Sequence, residues 1–290
     1  MFIVKQLIAI AISVLFALGI TVPESLNIEN VPKKNEDSVR IISFNVRCAD
    51  DPYGSVENRS KLIVSALKQY QPDSFGVQEA TEKWLRILSE ELSDEYDLVT
   101  QFRDGKKNSE ASAVFYLKDK YTLKDSGTIW LSDTPDEFAS KYSLSFCPRI
   151  ATWAVLENKE TGEAYTHINT HLDHVLESVR VQQVKVLEAK INELKALGYP
   201  LVCTGDFNTK EGADAYTEMS TCLKDTKYLA KESDDGATYI NYGLNPFEKK
   251  PIDFIFVSDG IEVDRYKIID EKIADMYLSD HAGLCADINF

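Results

Sequence analysis

Polar side chains stand at the ends of several short apolar runs, where rigid strands would hold them in fixed positions. Asn45 follows the apolar run at residues 41–44, for example, and Asp206 follows the run at residues 202–205. Carboxylate and amide oxygens beside imidazoles suit a hard cation such as Mg²⁺ or Mn²⁺ better than zinc. Such a cation next to a positioned base could hydrolyse a phosphoester. The residues at these run ends are Asn45, Glu79, His171, Asp206, Asn208, Asp253, Asp280 and His281.

Each of these positions, taken alone, has a simpler structural interpretation. An Asn or Asp at the end of a strand is more often a turn residue or a helix cap. A single His more often packs or forms a hydrogen bond inside a core. Six such run ends in one chain, all with oxygen or imidazole groups, favour one shared metal-dependent site over unrelated turns.

The same segments resemble the ordered motifs of the endonuclease/exonuclease/phosphatase superfamily, which includes deoxyribonucleases, neutral sphingomyelinases and inositol-polyphosphate phosphatases. The resemblance covers residues 40–290, and residues 126–132, 149–154 and 170–174 bring it closest to secreted bacterial members. The motifs are Ser43-Phe44-Asn45, Val77-Gln78-Glu79, Asn169-Thr170-His171-Leu172, Thr204-Gly205-Asp206-Phe207-Asn208, Ile252-Asp253-Phe254-Ile255 and Ser279-Asp280-His281.

The resemblance implies a metal site with Mg²⁺ as the cofactor, or Mn²⁺ in its place. Glu79 resembles the main metal ligand of the family, and Asn45 and Asp280 would complete the oxygen shell directly or through water. None of the motif residues is replaced. An active enzyme is therefore favoured over a non-catalytic binding module on the same fold.

Four further residues resemble the catalytic groups of the family. Asp206 resembles the group that orients and deprotonates the attacking water, and Asn208 resembles the amide that holds the water or a phosphoryl oxygen. Asp253 and His281 resemble a carboxylate–imidazole pair beside the scissile phosphate. A buried Asp against an imidazole favours the imidazolium form and brings a positive charge to the transition state.

Substrate contacts are predicted for Arg149, Glu110 and His174. His171 resembles the second imidazole of the family, and Glu110 is its expected partner. Arg149 ends a loop before a strand, where a planar guanidinium could bind phosphate through two N–H groups, although a surface salt bridge is an equal alternative. His174 is expected to support His171 or touch substrate, because the general-base Glu of a zinc protease motif is absent.

An acidic stretch at residues 232–236 precedes Tyr239 and Tyr242. The favoured interpretation is a solvated surface turn, because runs of charge are usually solvated. The alternative is a rim that repels polyanions, in which Tyr239 or Tyr242 stacks on a base, a sugar or a headgroup.

The periodicity of the chain predicts the elements that would position these residues. Apolar spacing predicts helices at residues 58–70, 82–92 and 179–197, with Asn58 capping the first. Their alternation with β-branched runs predicts an α/β fold, a four-layer α/β sandwich in which two mixed β-sheets pack face to face with helices on the outside. The predicted strands are residues 39–46, 74–78, 111–116, 122–131, 151–157, 163–170, 201–204, 252–257 and 284–288.

The N-terminal residues are typical of a targeting segment. Lys5 precedes an apolar run at residues 7–20, which is shorter than a comfortable membrane span. We predict a signal peptide at residues 1–20, a polar tether at 21–38 and a catalytic domain at 39–290, and hence a secreted or cell-surface protein. An uncleaved anchor is the alternative. The five cysteines lack zinc-site spacing, and Cys203 and Cys285 should be buried free thiols.

The formal net charge of −15, from 47 acidic and 32 basic side chains, bears on the substrate. Proteins that bind long nucleic acid tightly present a basic face, because neutralising phosphates releases counterions. Tight nucleic-acid binding is therefore doubtful. We expect a monomer without an obligate protein partner that hydrolyses a small or lipid-derived phosphoester, as a phosphodiesterase or phosphatase. An extracellular nuclease acting on DNA or RNA is the alternative.

Overall fold

Two large β-sheets lie face to face, with helices on both outer sides. The structure, a computed structural model, describes residue 28 and residues 31–245, 249–273 and 276–290. The strands are β1 (Val39–Asn45), β2 (Ser74–Thr81), β3 (Tyr96–Val99), β4 (Glu110–Leu117), β5 (Tyr121–Trp130), β6 (Ile150–Asn158), β7 (Ala164–His171), β8 (Leu201–Asp206), β9 (Lys224–Asp225), β10 (Glu232–Ser233), β11 (Asp253–Val257), β12 (Glu262–Ile269), β13 (Lys272–Ile273), β14 (Met276–Tyr277) and β15 (Gly283–Asn289). The helices are α1 (Val56–Tyr70), α2 (Glu82–Leu92), α3 (Glu177–Lys195), α4 (Asp214–Cys222) and α5 (Thr226–Leu229), with a 3₁₀ turn at Asn241–Gly243.

Both sheets are mixed. The first has the strand order β10–β12–β15–β1–β2–β4–β3, and the second has the order β5–β6–β7–β8–β11–β9. In the first, β1 is parallel to β2 and antiparallel to β15. In the second, β8 is parallel to β7 and antiparallel to β11. β13 and β14 form a separate hairpin.

Alternating residues of the central strands divide the core into layers, because successive side chains of a strand point to opposite faces. On β1, Ile41 packs between the two sheets, and Ile42 packs in the cluster that α1 and α2 cover. On β8, Val202 packs between the sheets, and Cys203 packs in the cluster that α3 and α4 cover. The predicted four-layer α/β sandwich is therefore confirmed.

The first helix begins earlier than its periodicity predicted. Ser55 rather than Asn58 is its N-cap, since the Ser55 hydroxyl accepts the backbone N–H of Asn58 at 3.2 Å. The sequence patterns did not predict the short or charge-rich elements. The residues that α4 buries are Ala215 and Met219 alone, which leaves no apolar stripe of helical length in the sequence.

The predicted signal peptide, residues 1–20, lies outside the described residues. The predicted tether is described at residue 28 and from residue 31 onward, and there it lies against the domain. Ile28 is buried, and its backbone N–H donates to Gln69 Oε1 at 2.7 Å. Lys34 Nζ lies 2.7 Å from a carboxylate oxygen of the buried Asp73. The described part of this segment therefore packs against the domain.

The structure describes all five cysteines, whereas the alternative of an uncleaved N-terminal anchor concerns residues outside the described ranges. All five cysteines are unpaired, and Cys203 and Cys285 are buried as predicted. No helix within the described ranges is long and apolar enough to cross a bilayer.

Candidate active site

Strand direction gathers the predicted site residues at one edge of the sandwich. β1 and β2 are parallel in one sheet, as are β7 and β8 in the other. The hydrogen bond from Asn45, at the end of β1, to Asp206, at the end of β8, shows that the two pairs of strands end at the same edge. β11 and β15 run the opposite way and begin where their neighbours end, so that Asp253 pairs in register with Asp206. Hydrogen bonds and ion-pair contacts join nine residues into one network, in which Arg47 links Asp280 to the rest. The members are Asn45, Arg47, Glu79, His171, Asp206, Asn208, Asp253, Asp280 and His281.

Asp206, Asp253 and His281 form the buried centre of this network. One nitrogen or oxygen atom from each lies within 4.8 Å of the other two, a separation that a metal ion could bridge. His281 Nδ1 donates to Asp253 Oδ2 at 2.8 Å, and its Nε2 lies 3.8 Å from Asp206 Oδ2. Burial and the nearby charge of Asp253 raise the pKa of Asp206.

The two imidazoles of the site have opposite electrostatic surroundings. Burial alone would lower the pKa of His281, but the charges of Asp253 and Asp206 outweigh burial and raise that pKa to about 10. Burial and the charge of Arg149 hold the pKa of His171 well below its usual range. Near neutral pH, His281 is therefore an imidazolium and His171 is a neutral imidazole.

Asn208 fixes the orientation of His171. Its Nδ2 donates to His171 Nε2 at 3.0 Å and to the carbonyl oxygen of Leu172 at 3.2 Å. An Nε2 that accepts a hydrogen bond leaves the proton on Nδ1, which agrees with the neutral form. The φ angle of Asn208 is 49°, a left-handed conformation that Asn adopts more readily than most residues.

Glu79 lies at an irregularity of β2, where the pairing with β4 shifts between Val77 and Ala80. Its φ angle of 60° is left-handed, and such strain in a non-glycine residue is common at functional sites. The carboxylate accepts the backbone N–H of Cys48 at 2.8 Å and the amide of Asn45 at 3.1 Å. Burial alone would raise the pKa of Glu79, but these hydrogen bonds and the charge of His281 lower it, so Glu79 remains ionised.

Asn45 joins two carboxylates through its amide nitrogen. Nδ2 donates to Glu79 Oε1 at 3.1 Å and to Asp206 Oδ2 at 2.9 Å. Its oxygen instead accepts the backbone N–H of Arg47 at 3.0 Å. The nitrogen rather than the oxygen of Asn45 therefore faces the two carboxylates, and its place in the metal's oxygen shell stays a prediction.

Arg47, a residue outside the predicted set, lies between Glu79 and Asp280. Its guanidinium is 4.0 Å from Glu79 Oε2 and 3.7 Å from Asp280 Oδ2. Burial raises the pKa of Asp280. One positive charge therefore lies where two carboxylates face each other, and their oxygens are the hard donors that Mg²⁺ prefers. Glu79 and Asp280 thus fit the predicted cation.

Arg149 lies in a pocket that borders these acids. It is 4% exposed, so the surface salt bridge that was its alternative is wrong. One terminal guanidinium nitrogen is 3.1 Å from His174 Nδ1, and Nε has no hydrogen-bond partner in the described part of the chain. The pocket is lined by Glu79, Arg103, Glu110, Ala111, Ser112, Arg149, Ile150 and His171.

Glu110 pairs with Arg103 and not with His171, its expected partner. The guanidinium donates to both carboxylate oxygens, at 2.7 and 2.8 Å. The carbonyl oxygen of Arg103 accepts the indole N–H of Trp130 at 2.8 Å, which fixes the loop that carries it. Burial raises the pKa of Glu110. A lone Arg in a polar loop carries no periodic signal, so sequence patterns could not point to Arg103.

His174 contacts Arg149 and not His171, so its predicted support of His171 is wrong. The neighbouring Asp173 is fully buried and stabilises the turn before α3, where its Oδ1 accepts the backbone N–H groups of Val175 and Leu176 at 2.8 and 3.0 Å. His174 is exposed and contacts Arg149, which lines the pocket.

The acidic stretch at residues 232–236 lies at the surface, as favoured, where the short strand β10 is followed by a turn. Glu232 pairs with Arg265 at 2.7 Å, and Asp235 pairs with Lys227 at 2.8 Å. Local cations therefore offset part of its charge.

The two tyrosines after this turn differ in their surroundings. The ring of Tyr239 lies 5.1 Å from the ring of His281, beside the site. The hydroxyl of Tyr242 donates to Asp51, and its ring stacks on Tyr53 with centroids 5.0 Å apart. Tyr239 is thus the one placed to touch a ligand.

Comparison with known proteins agrees with the geometry. The model of the endonuclease/exonuclease/phosphatase family matches residues 42–281. A family member from Bacteroides vulgatus is 33% identical, with a TM-score of 0.80 over 87% of this chain and 99% of that one. A mannosyl-6-phosphatase from Bacteroides thetaiotaomicron is 29% identical, with a TM-score of 0.80 over 87% of this chain and 100% of that one. No curated protein sequence matches this chain.

A more distant structure shares the fold alone. The human Nocturnin catalytic domain with bound sulfate is 21% identical, with a TM-score of 0.71 over 89% of this chain and 96% of that one. The family match spans most of the sequence, and the strand-end residues of the matched region converge as the family motifs implied. The chain therefore belongs to the endonuclease/exonuclease/phosphatase family of hydrolases.

Proposed function

We propose that the protein hydrolyses small phosphoesters in a metal-dependent reaction, with Mg²⁺ or Mn²⁺ as the cofactor. The position of its cations carries this proposal. Arg149 is 4% exposed and the Arg103 side chain is 17% exposed, and both line the pocket beside Glu79. Cations that are buried or partly buried can meet a single phosphoryl group bound beside them, but they cannot follow the backbone of a long nucleic acid. Similarity to the mannosyl-6-phosphatase supports a small substrate.

Glu79 and Asp280 would hold the cation, because both carboxylates lie within 4.0 Å of the same positive group, the guanidinium of Arg47. When bound, the cation supplies Lewis-acid stabilisation of the negative charge on the phosphoryl oxygens. The lowered pKa of Glu79 keeps one of these two groups fully ionised near neutral pH.

Asp206 would take a proton from the attacking water. Its raised pKa makes it a better proton acceptor than an ordinary carboxylate, because a base works best with a pKa near the working pH. The backbone N–H of Asn208 donates to Asp206 Oδ1 at 2.9 Å and fixes the carboxylate. General-base catalysis by a positioned group of this kind is worth ~10² to 10⁴ in rate.

His281 and Arg149 would offset charge on the phosphoryl group. Nδ1 of His281 is engaged by Asp253, so Nε2 is the N–H that can donate to a phosphoryl oxygen or to the leaving oxygen. The Arg149 guanidinium approaches from the pocket, beside His171. Charge-assisted hydrogen bonds of this kind are roughly twice as strong as neutral ones.

A nuclease is the second candidate, and Arg47 is the observation that favours it. Its side chain is 39% exposed, so it could touch a phosphate of a strand that crosses the mouth of the site. The net charge of −15 opposes strong binding of such a polyanion.

Hydrolysis of a panel of small phosphoesters, with Mg²⁺, with Mn²⁺ and with EDTA, tests the proposal. It is followed as phosphate release for the monoesters and as alcohol release for the diesters. We expect turnover with either metal, none with EDTA, and loss of turnover in Asp206→Asn. Turnover that persists in EDTA would contradict the metal dependence. Turnover that persists in folded Asp206→Asn would contradict the assignment of the base.

A further inference from the structure

Phe146 is a large apolar side chain fixed in an exposed position. It is 72% exposed, and its ring meets that of His174 edge to face, with centroids 5.0 Å apart at 75°. The ring therefore adds little to the core. Most exposed apolar residues need no explanation. A rigidly held one beside a catalytic pocket points to a ligand that covers it.

The buried carboxylate of Asp173 holds Phe146 in place. Its Oδ2 accepts the backbone N–H of Phe146 at 3.0 Å and the hydroxyl of Ser145 at 3.0 Å. Its Oδ1 accepts the N–H groups of the two residues that follow His174. The loop that carries Phe146 and the loop that carries His174 are thus fastened to one fully buried group.

Phe146 is continuous with the candidate active site. His174 lies under its ring and is 3.1 Å from Arg149, which lines the pocket together with Glu79 and His171. A row of contacting side chains therefore leads from the reacting centre to the exposed ring. A substrate whose phosphate reaches Arg149 would place its other end over this row.

The chemistry of these side chains indicates which kind of substrate group can bind to them. Phe146 offers an apolar face, whereas the exposed His174 and the buried Arg149, whose Nε has no hydrogen-bond partner among the described residues, offer polar groups. A sugar ring matches both, because it has a C–H face and hydroxyl groups around its edge. An alkyl chain would cover these polar groups without offering them hydrogen-bond partners, which is costly.

We propose that Phe146 is a specificity-determining residue on which the ring of a phosphorylated sugar packs while its phosphate is held at Arg149. This inference rests on the proposed hydrolysis of small phosphoesters and names the substrate class. The ring contributes to binding, so its loss acts on KM more than on kcat.

Three primary alkyl phosphates test the inference: a hexose 6-phosphate, ethyl phosphate and octyl phosphate. Their leaving groups are alike, so differences in kcat/KM report on the group attached to the phosphate. We expect the wild type to favour the hexose phosphate. Phe146→Ala should reduce the ratio of kcat/KM for hexose phosphate to that for ethyl phosphate by about tenfold, mainly through KM. Phe146→Tyr should restore the ratio.

Tyr228→Ala is the matched control, because Tyr228 is 65% exposed and lies outside the row; it should leave the ratio unchanged. An equal loss for hexose and ethyl phosphates in Phe146→Ala would overturn the inference and leave hydrolysis itself established. A wild-type preference for octyl phosphate or for nucleoside 5′-monophosphates over hexose phosphate would also overturn it. If the protein with metal hydrolysed none of the phosphoesters, the proposed function would be overturned as well.

Discussion

Nδ1 of His281 lies 2.8 Å from Oδ2 of Asp253, and the other carboxylate oxygen of Asp253 has no hydrogen-bond partner among the described residues. A buried carboxylate that is only half satisfied is costly unless a positive charge lies beside it. The imidazolium of His281 supplies that charge, and in turn the carboxylate raises the pKa of His281. Each group therefore maintains the charge of the other at the site.

Replacing Asp253 by Asn should remove this mutual support. The amide keeps the shape of the carboxylate but cannot stabilise an imidazolium, so the site loses a positive charge in the transition state. We expect Asp253→Asn to lower kcat by ~10² or more with a smaller change in KM. Steady-state kinetics on a small phosphoester measure both. A folded Asp253→Asn with a normal kcat would contradict the role of the pair.

The convergence of Asp253, His281 and Asp206 followed from sequence because each stands at the end of an apolar run. Strand alternation and sheet topology then leave little choice about where such side chains meet. The partners of long side chains did not follow. Arg103 reaches Glu110 across a loop that no periodicity describes.

The direction of the Asn45 amide and the place of Arg47 were likewise beyond sequence reasoning. Both depend on contacts between β1, β2 and the loop after β1, which only the folded chain brings together. β12 was missed for a related reason. Charged residues interrupt its apolar pattern in the sequence. Its apolar side chains are buried in the folded chain, where it pairs with β15.

Replacing Glu79 should weaken metal binding. Glu79→Gln removes one of two anionic groups that face the predicted cation position, and carboxylates bind Mg²⁺ through their charge. We expect at least a tenfold loss in Mg²⁺ affinity by calorimetry, about 1.4 kcal/mol. Glu232→Gln, on the exposed strand β10, is the matched control. Unchanged Mg²⁺ affinity in folded Glu79→Gln would remove Glu79 from the metal site.

Replacing Arg149 should act on substrate binding. Hydrogen bonds to charged groups are worth ~1.5 to 3 kcal/mol, so Arg149→Ala should raise KM for a small phosphoester by roughly tenfold to a hundredfold. Arg149→Lys should recover only part of this loss, because an ammonium cannot bind phosphate in two-pronged fashion. Arg86→Ala, on the exposed face of α2, serves as the control. An unchanged KM in Arg149→Ala would show that the pocket does not bind phosphate.

His167 should make stability depend on pH. Its ring nitrogens lie 2.7 Å from Ser74 Oγ and 2.9 Å from Thr204 Oγ1, and burial lowers its pKa from 6.5 to about 3. Between these values the unfolded chain binds a proton that the folded chain does not. The free energy of unfolding should therefore fall as pH is lowered through this window, by ~1.4 kcal/mol per pH unit from this residue.

Urea unfolding of the wild type and of His167→Gln, at neutral and at mildly acidic pH, isolates this contribution from that of other groups. The variant should be less stable at neutral pH and should lose less stability on acidification. Equal losses in the two proteins would show that His167 is not buried in its neutral form.

The central claim is that this acidic protein hydrolyses small phosphoesters in preference to long polyanions. The most direct measurement compares phosphate release from a hexose 6-phosphate with cleavage of supercoiled plasmid, both with Mg²⁺ and over a range of NaCl. We predict efficient phosphate release, weak plasmid cleavage at low salt, and no steep fall in that cleavage as salt screens charges within a Debye length of ~10 Å at 0.1 M. Rapid plasmid digestion at low salt that declines sharply with added NaCl would contradict the claim.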